Sequence, residues 1–216
     1  QLVVQSIGIG VELVPAAHDL LYVGGGQDRE QALIAPDLAD KSAAIRHAVA
    51  EGAALLAVCG GYQLLGRGYR GRDGSFMPGV GLFGHETVAG TQRMIGDVLL
   101  ECELEPGAAR QLAGFENHAG RTVLDHDAEP LGRILHGFGN DGKSGFEGCR
   151  LERAIGTYLH GPLLPRNPWL ADWLLAQALA HGRGGEPPIL EPLPDELEVE
   201  AFRVAAGRAR ERGGRR

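Results

Sequence analysis

Residues 55–66 read "LLAVCGGYQLLG". The first four are short, apolar and uninterrupted, as expected of a strand covered on both faces. Gly60 and Gly61 permit a tight turn and a close backbone approach. From Tyr62 onward the run turns helical, with Leu64 and Leu65 available to face a sheet. Cys59 therefore falls at the carboxyl end of a strand and the amino end of a helix. Unpaired N–H groups and the helix dipole there favour an anion, and a thiolate is one. The local pattern admits two readings. Cys59 is either a reactive thiol at a strand–turn–helix junction or a small buried hydrophobe, the usual state of a free cysteine.

Working outward, "LLYV" (20–23) is a second short apolar run, and it ends in Gly24-Gly25-Gly26. Residues 27–52 read as helix, broken or kinked near Pro36 and ended by Gly52, with Leu38, Ile45, Ala48 and Val49 on one side. Strands separated by helical crossovers predict βαβ units. The expected fold is α/β: a mostly parallel sheet flanked by helices, with its ligand at the strands' carboxyl ends, where both glycine clusters fall. Residues 67–150 are richer in glycine, and alternating stretches such as "RMIGDVLLECEL" (93–104) favour strands and loops. "RAIGTYLHGPLL" (153–164) is another strand, over 155–159, running into a turn with His160 at its end. Residues 168–180 form a helix opened by Pro168, with Leu170, Trp173, Leu174 and Ala178 on its apolar face.

Residues 182–194 are rich in proline and glycine and read as a linker. Residues 195–216 read as a fraying surface helix whose charges run with the helix dipole. The expected division is a domain over 1–181 followed by a linker and helical tail over 182–216. The opening "QLVVQ" looks like part of a strand, and the sequence begins without methionine. An upstream segment containing the N-terminal strand is therefore expected.

The 216 residues are 44% hydrophobic and 23% charged, proportions of a globular protein with an ample core. A net charge of −7 argues against nucleic acid as the main partner. Cys59, Cys102 and Cys149 are odd in number and widely separated, which fits neither a disulfide framework nor a zinc site. The eight histidines lack metal spacing, so no metal is expected. No apolar stretch reaches the roughly 18 residues of a membrane span, and no signal peptide is recognisable. The expected location is the cytoplasm.

A cysteine nucleophile needs a base and an oxyanion hole. Parallel strands deliver their carboxyl ends to one rim, so His160 is the natural base, with Gly24-Gly25-Gly26 and the N–H of Gly60 for the oxyanion. Each feature alone reads equally well as an ordinary turn or loop. Together, at strand ends of one chain, they point to one site.

The matching stretches "GGGQDREQ" (24–31), "CGGYQLLG" (59–66), "RMIGDV" (93–98), "GFENHAGRT" (114–122) and "GTYLHGPLLPRNP" (156–168) span about residues 20–180. In them the chain resembles class I, triad-type glutamine amidotransferases, in the cobyric acid synthase-like branch. "GGGQDREQ" with "FENHAGRT" narrows the resemblance to GatD-like glutaminase subunits. The resemblance implies Cys59 as nucleophile and His160 as general base and acid, with Gly25, Gly26 and Gly60 in the oxyanion and substrate loops. It implies that Gln63 helps hold substrate and that Arg93 binds the α-carboxylate of glutamine, a task suited to a planar cationic fork. Arg93 also reads as an ordinary surface arginine. The chain departs from the class where a glutamate usually stands two residues beyond the histidine, because Gly161-Pro162 follows His160. Glu116 either orients that histidine or holds the fold.

The resemblance further implies a heterodimer with a Mur ligase-like (MurT-like) subunit. That subunit would use ATP and Mg to amidate the D-glutamate of lipid II with ammonia from L-glutamine. The chain has no phosphate-binding Gly-x-x-x-x-Gly-Lys-Ser/Thr loop, so no cofactor is assigned to it. Residues 66–90 and 137–148 read as long glycine-rich loops near the Cys59 rim and as the expected docking surface. Rival readings are an amidotransferase serving another acceptor such as a cobyrinate-type corrinoid, a cysteine hydrolase or chaperone-like protein sharing the turn, and a non-catalytic binding subunit.

Overall fold

A computed structural model describes residues 2–213. Its first sheet is built from β1 (Leu20–Val23), β2 (Ala54–Val58), β10 (Ala154–Thr157) and β9 (Cys149–Leu151), in the order β1-β2-β10-β9. The first three are parallel: Val23 pairs with Ala57, and Thr157 with Val58. β9 closes the edge antiparallel to β10. All five residues of β2 are buried, which is why its apolar run has no polar alternation. Leu56 and Val58 turn toward α5 (Pro168–Arg183), meeting Leu170, Trp173, Leu174 and Ala178. Leu55 and Ala57 turn the other way, toward Ile45 and Val49 of α2 (Ser42–Ala50) and Tyr62 and Leu65 of α3 (Gly60–Leu65).

The glycine-rich middle forms a second, largely antiparallel sheet. It contains β3 (Gly68–Arg70), β4 (Phe76–Pro78), β5 (His85–Glu103), β7 (Gly132–His136) and β8 (Phe146–Glu147), in the order β4-β3-β5-β7-β8. β6 (Ala109–Leu124) runs along β5 as a long hairpin from His85↔Leu124 to Glu103↔Ala109, with a register break between Ala89 and Met94. Val98, Leu100 and Leu112 join the core that β2 shares with α5. On the opposite face, Leu99 and Ala113 are covered by Ala205, Ala206 and Ala209 of α6 (Glu196–Gly213). The two sheets meet where the His160 N–H donates to the Phe115 carbonyl of β6, 2.7 Å away. Among the described residues no helix is long and apolar enough to cross a membrane.

Four local expectations are corrected. The helix α1 (Asp28–Asp40) runs through Pro36 and breaks at Lys41, five residues later. Gly52, at φ +101°, ends α2 as expected. Residues 2–8 form no strand, and Val3 and Val4 are exposed. Without a neighbouring strand to satisfy their backbone groups, β-branched residues alone do not make one; Gln1 lies outside the described residues. Residues 66–90 are not a loop, since they carry β3, β4 and the start of β5. The strand before His160 stops at Thr157, so His160 sits three residues past its end.

Candidate active site

The turn after β2 differs from its sequence reading in one instructive respect. The glycines do not supply the unusual backbone angle; Cys59 itself does, at φ +52° and ψ −108°. Such a conformation in a side-chain-bearing residue costs on the order of 1–3 kcal/mol and is held by its surroundings. Here the Cys59 N–H donates to the Thr157 carbonyl at 2.8 Å, and its own carbonyl accepts the first helical bond, from Gln63 N–H at 3.0 Å. The glycines instead allow close approach. A Cβ on Gly61 would lie 2.8 Å from the Gly24 carbonyl oxygen, and one on Gly60 would lie 3.0 Å from Gly26 N. A Cβ on Gly25 would lie 3.1 Å from Cys59 Cβ. The loop after β1 is thereby pressed onto the cysteine turn. No disulfide involves Cys59, which is half-buried. Burial pushes Cys102 and Cys149 each up to about 12, so their thiols stay protonated and inert.

His160 is oriented by backbone. Its Nδ1 lies 3.1 Å from the Phe115 carbonyl oxygen, which can only accept. Nδ1 therefore carries the proton, and the neutral ring presents its lone pair at Nε2. Burial holds the imidazole below its ordinary pKa, and the positive charge of Arg93 acts in the same direction. Two backbone hydrogen bonds, at Phe115 and Tyr158, oppose them. Glu116 does not orient His160. Its carboxylate accepts the N–H groups of Phe138 (2.7 Å) and Gly139 (3.0 Å) and lies 3.6 Å from His118 Nε2. The ring of His160 is held by the Phe115 carbonyl and not by a carboxylate.

A cavity of about 910 Å³ opens over the turn, lined by Gly25, Gly26, Cys59, Gln63, Arg93 and His160 among others. Of the seven residues singled out from sequence, six line it; Gly60 is buried and adjoins the wall as the residue after Cys59. Gln63 is buried, and its Nε2 donates to the Tyr158 hydroxyl at 3.1 Å. Arg93 donates from Nε and Nη2 to Asn117, 2.9 Å each. Sequence reasoning passed over the other wall residues, among them Arg29, Gln31, Asn117 and His118. Gln31 Nε2 donates to the Gly26 carbonyl at 3.1 Å, bracing the glycine loop. His118 stacks on Tyr158, with ring centres 3.5 Å apart. The available signal was their position inside "GGGQDREQ" and "FENHAGRT". Among the described residues no group of three His, Cys, Asp or Glu could hold a metal. A thiol, an imidazole acceptor, a glycine loop and two guanidiniums, those of Arg29 and Arg93, share one cavity. That set suits covalent attack on a carbonyl of a small carboxylate-bearing substrate.

The chain is 38% identical over 191 residues to the GatD subunit of lipid II isoglutaminyl synthase (glutamine-hydrolyzing) of Staphylococcus aureus strain N315, covering 88% of this chain and 75% of that protein. It is likewise 38% identical over 188 residues to the same subunit of Streptococcus pneumoniae, covering 86% and 71%. Cobyric acid synthase of Pelotomaculum thermopropionicum is 32% identical over 155 residues, with 66% of this chain but only 29% of that protein covered. Among solved structures, that of a glutamine amidotransferase superposes with a TM-score of 0.54 at 22% identity, covering 74% of this chain and 79% of that one, a likeness of fold. The CobB/CobQ-like glutamine amidotransferase domain matches residues 3–168, and the chain belongs to that family.

Proposed function

We propose that the chain is the glutaminase subunit of a lipid II-amidating synthase, hydrolysing L-glutamine at Cys59 and passing ammonia to a Mur ligase-like partner. The observation that carries this reading is the strained Cys59 turn, which opens into the same cavity as a His160 whose free ring nitrogen is Nε2. His160 Nε2 takes the Cys59 proton, and the thiolate attacks the side-chain amide carbon of glutamine. The N–H groups of Gly60 and the glycine loop hold the developing oxyanion; one such donor is typically worth about 3–4 kcal/mol. The proton on Nε2 passes to the leaving nitrogen, ammonia departs, and a thioester remains. Water, deprotonated by His160, then attacks the thioester; glutamate is released, and the proton on His160 returns to the departing Cys59 thiolate to restore the thiol.

ATP and Mg belong to the partner in this reading, which amidates the α-carboxyl of the lipid II D-glutamate. The higher identity of the two GatD relatives, 38% against 32% for cobyric acid synthase, and the larger share of their own length that is covered, 75% and 71% against 29%, favour this acceptor over a corrinoid. The test mixes the chain with its ligase subunit and follows lipid II amidation. Cys59→Ala should abolish amidation with glutamine while leaving amidation with free ammonia at high pH intact. Retained glutamine-dependent amidation would refute the role of Cys59.

A further inference from the structure

Arg93 stands in an unusual place. The β5–β6 pairing is interrupted between Ala89 and Met94, so Arg93 lies in the irregular stretch and not on the regular ladder. Bulges of this kind re-aim side chains near functional sites. The stretch is braced from β6: Arg121 Nη2 donates to the Gln92 carbonyl at 2.8 Å, and Arg121 Nη1 to the Ala119 carbonyl at 2.9 Å. The side chain of Arg93 is exposed and long, and among the described residues no carboxylate forms an ion pair with it. Its direction is set by Asn117, which rejoins the regular ladder opposite Ile95.

A guanidinium offers two edges that can each donate a parallel pair of hydrogen bonds: the side edge, Nε with Nη2, and the end edge, Nη1 with Nη2. Asn117 takes the side edge with both of its oxygens, Oδ1 on Nε and the backbone carbonyl on Nη2, each at 2.9 Å. The end edge is thereby the one left to meet a carboxylate. The asparagine is neutral, so it fixes direction without consuming the positive charge.

We propose that Asn117 is a positioning residue that presents the end edge of Arg93 to the substrate's α-carboxylate, and so sets the site's demand for an α-amino acid amide. This rests on the glutamine reading given above, and it adds the residue that makes Arg93 a recognition group. The clamp keeps a flexible cationic side chain in one direction before substrate arrives, and restraint of that kind raises affinity without new contacts. A purely structural Asn117 would tolerate aspartate, an equal acceptor of the same size. A positioning role would not, because an aspartate carboxylate would compete for the charge meant for the substrate.

The experiment uses the intact chain and two reagents for Cys59. One is 6-diazo-5-oxo-L-norleucine, which carries the α-amino and α-carboxylate groups of glutamine; the other is iodoacetamide, which carries neither. In Asn117→Leu the half-saturating concentration of the diazo-ketone should rise about tenfold, the worth of a hydrogen bond to a charged group, with the maximal labelling rate unchanged. In Asn117→Asp it should rise further. Iodoacetamide should alkylate Cys59 at the wild-type rate in both. A wild-type response of Asn117→Asp to the diazo-ketone, or an equal slowing with both reagents, would overturn the proposal. Wild-type protein that reacts with iodoacetamide but ignores the diazo-ketone would instead overturn the glutamine reading itself.

Discussion

Gly61→Ala sets two physical effects against each other at the cysteine turn. Gly61 lies in α3, and by helix propensity alone alanine there is favoured by about 1 kcal/mol. The structure opposes this. A Cβ on Gly61 would lie 2.8 Å from the Gly24 carbonyl oxygen and 2.8 Å from Val23 Cγ1, and closer still to the Val23 carbonyl oxygen. Ordinary carbon–oxygen contacts run near 3.3–3.6 Å, so the backbones must part by roughly half an ångström or more. Val23 cannot retreat freely, because it is paired with Ala57 in the sheet. Overpacking against such a neighbour costs typically 1–3 kcal/mol. Less the propensity gain this leaves about 0–2 kcal/mol, and three atoms inside 3 Å of the added Cβ put the loss at the upper end, about 2 kcal/mol, read as a fall of roughly 5 °C in Tm for a domain of this size. The displaced Val23–Gly24 segment would also carry the oxyanion loop away from Gly60, so diazo-ketone labelling of Cys59 should slow. Thermal and urea melts together with the labelling rate check both parts. A raised Tm would mean that propensity wins, and the close approach of strand and helix would not be what reserves this position for glycine.

Two predictions concern pH. His160 must be neutral to accept the Cys59 proton, and its pKa lies below the ordinary 6.5, so the acid limb of the glutaminase kcat/KM profile should fall below pH 6.5. An acid limb above 6.5, measured with the partner present, would contradict the site's electrostatics. Glu147 is wholly buried, and burial pushes it up to about 8 from an ordinary 4.5, against the pull of the Tyr158 N–H and the Thr157 hydroxyl. A carboxyl raised on folding stabilises fully below its unfolded value, and that contribution is lost as pH rises through the folded one. Between pH 4.5 and 8 the wild type should therefore lose stability relative to Glu147→Gln, and parallel urea midpoints across that window would contradict the assignment.

Much of this protein was legible in one dimension because its decisive signals are local. An unbroken apolar run such as 55–58 has to be covered on both faces, and strands alternating with helices have to lie parallel. Parallel strands bring their ends to one rim, so Cys59 and His160, a hundred residues apart, could be expected there, and both line one cavity. Pairing and close contact are different, because they depend on which backbone atoms arrive from elsewhere. Nothing local in "QLVVQ" says that it lacks a partner strand, and nothing in "PD" at 36–37 says that the helix continues to Asp40. The tertiary structure alone decided that Cys59, and not its glycines, bears the positive φ, because Gly60 and Gly61 are needed for the approach of β1. It also decided that a carbonyl of Phe115 orients His160 and that Asn117 aims Arg93. Both contacts use β6 as a ruler laid across the strand ends. A backbone carbonyl leaves no mark on the residue's name, so sequence could single out the side chains on the cavity wall but not what holds them in place.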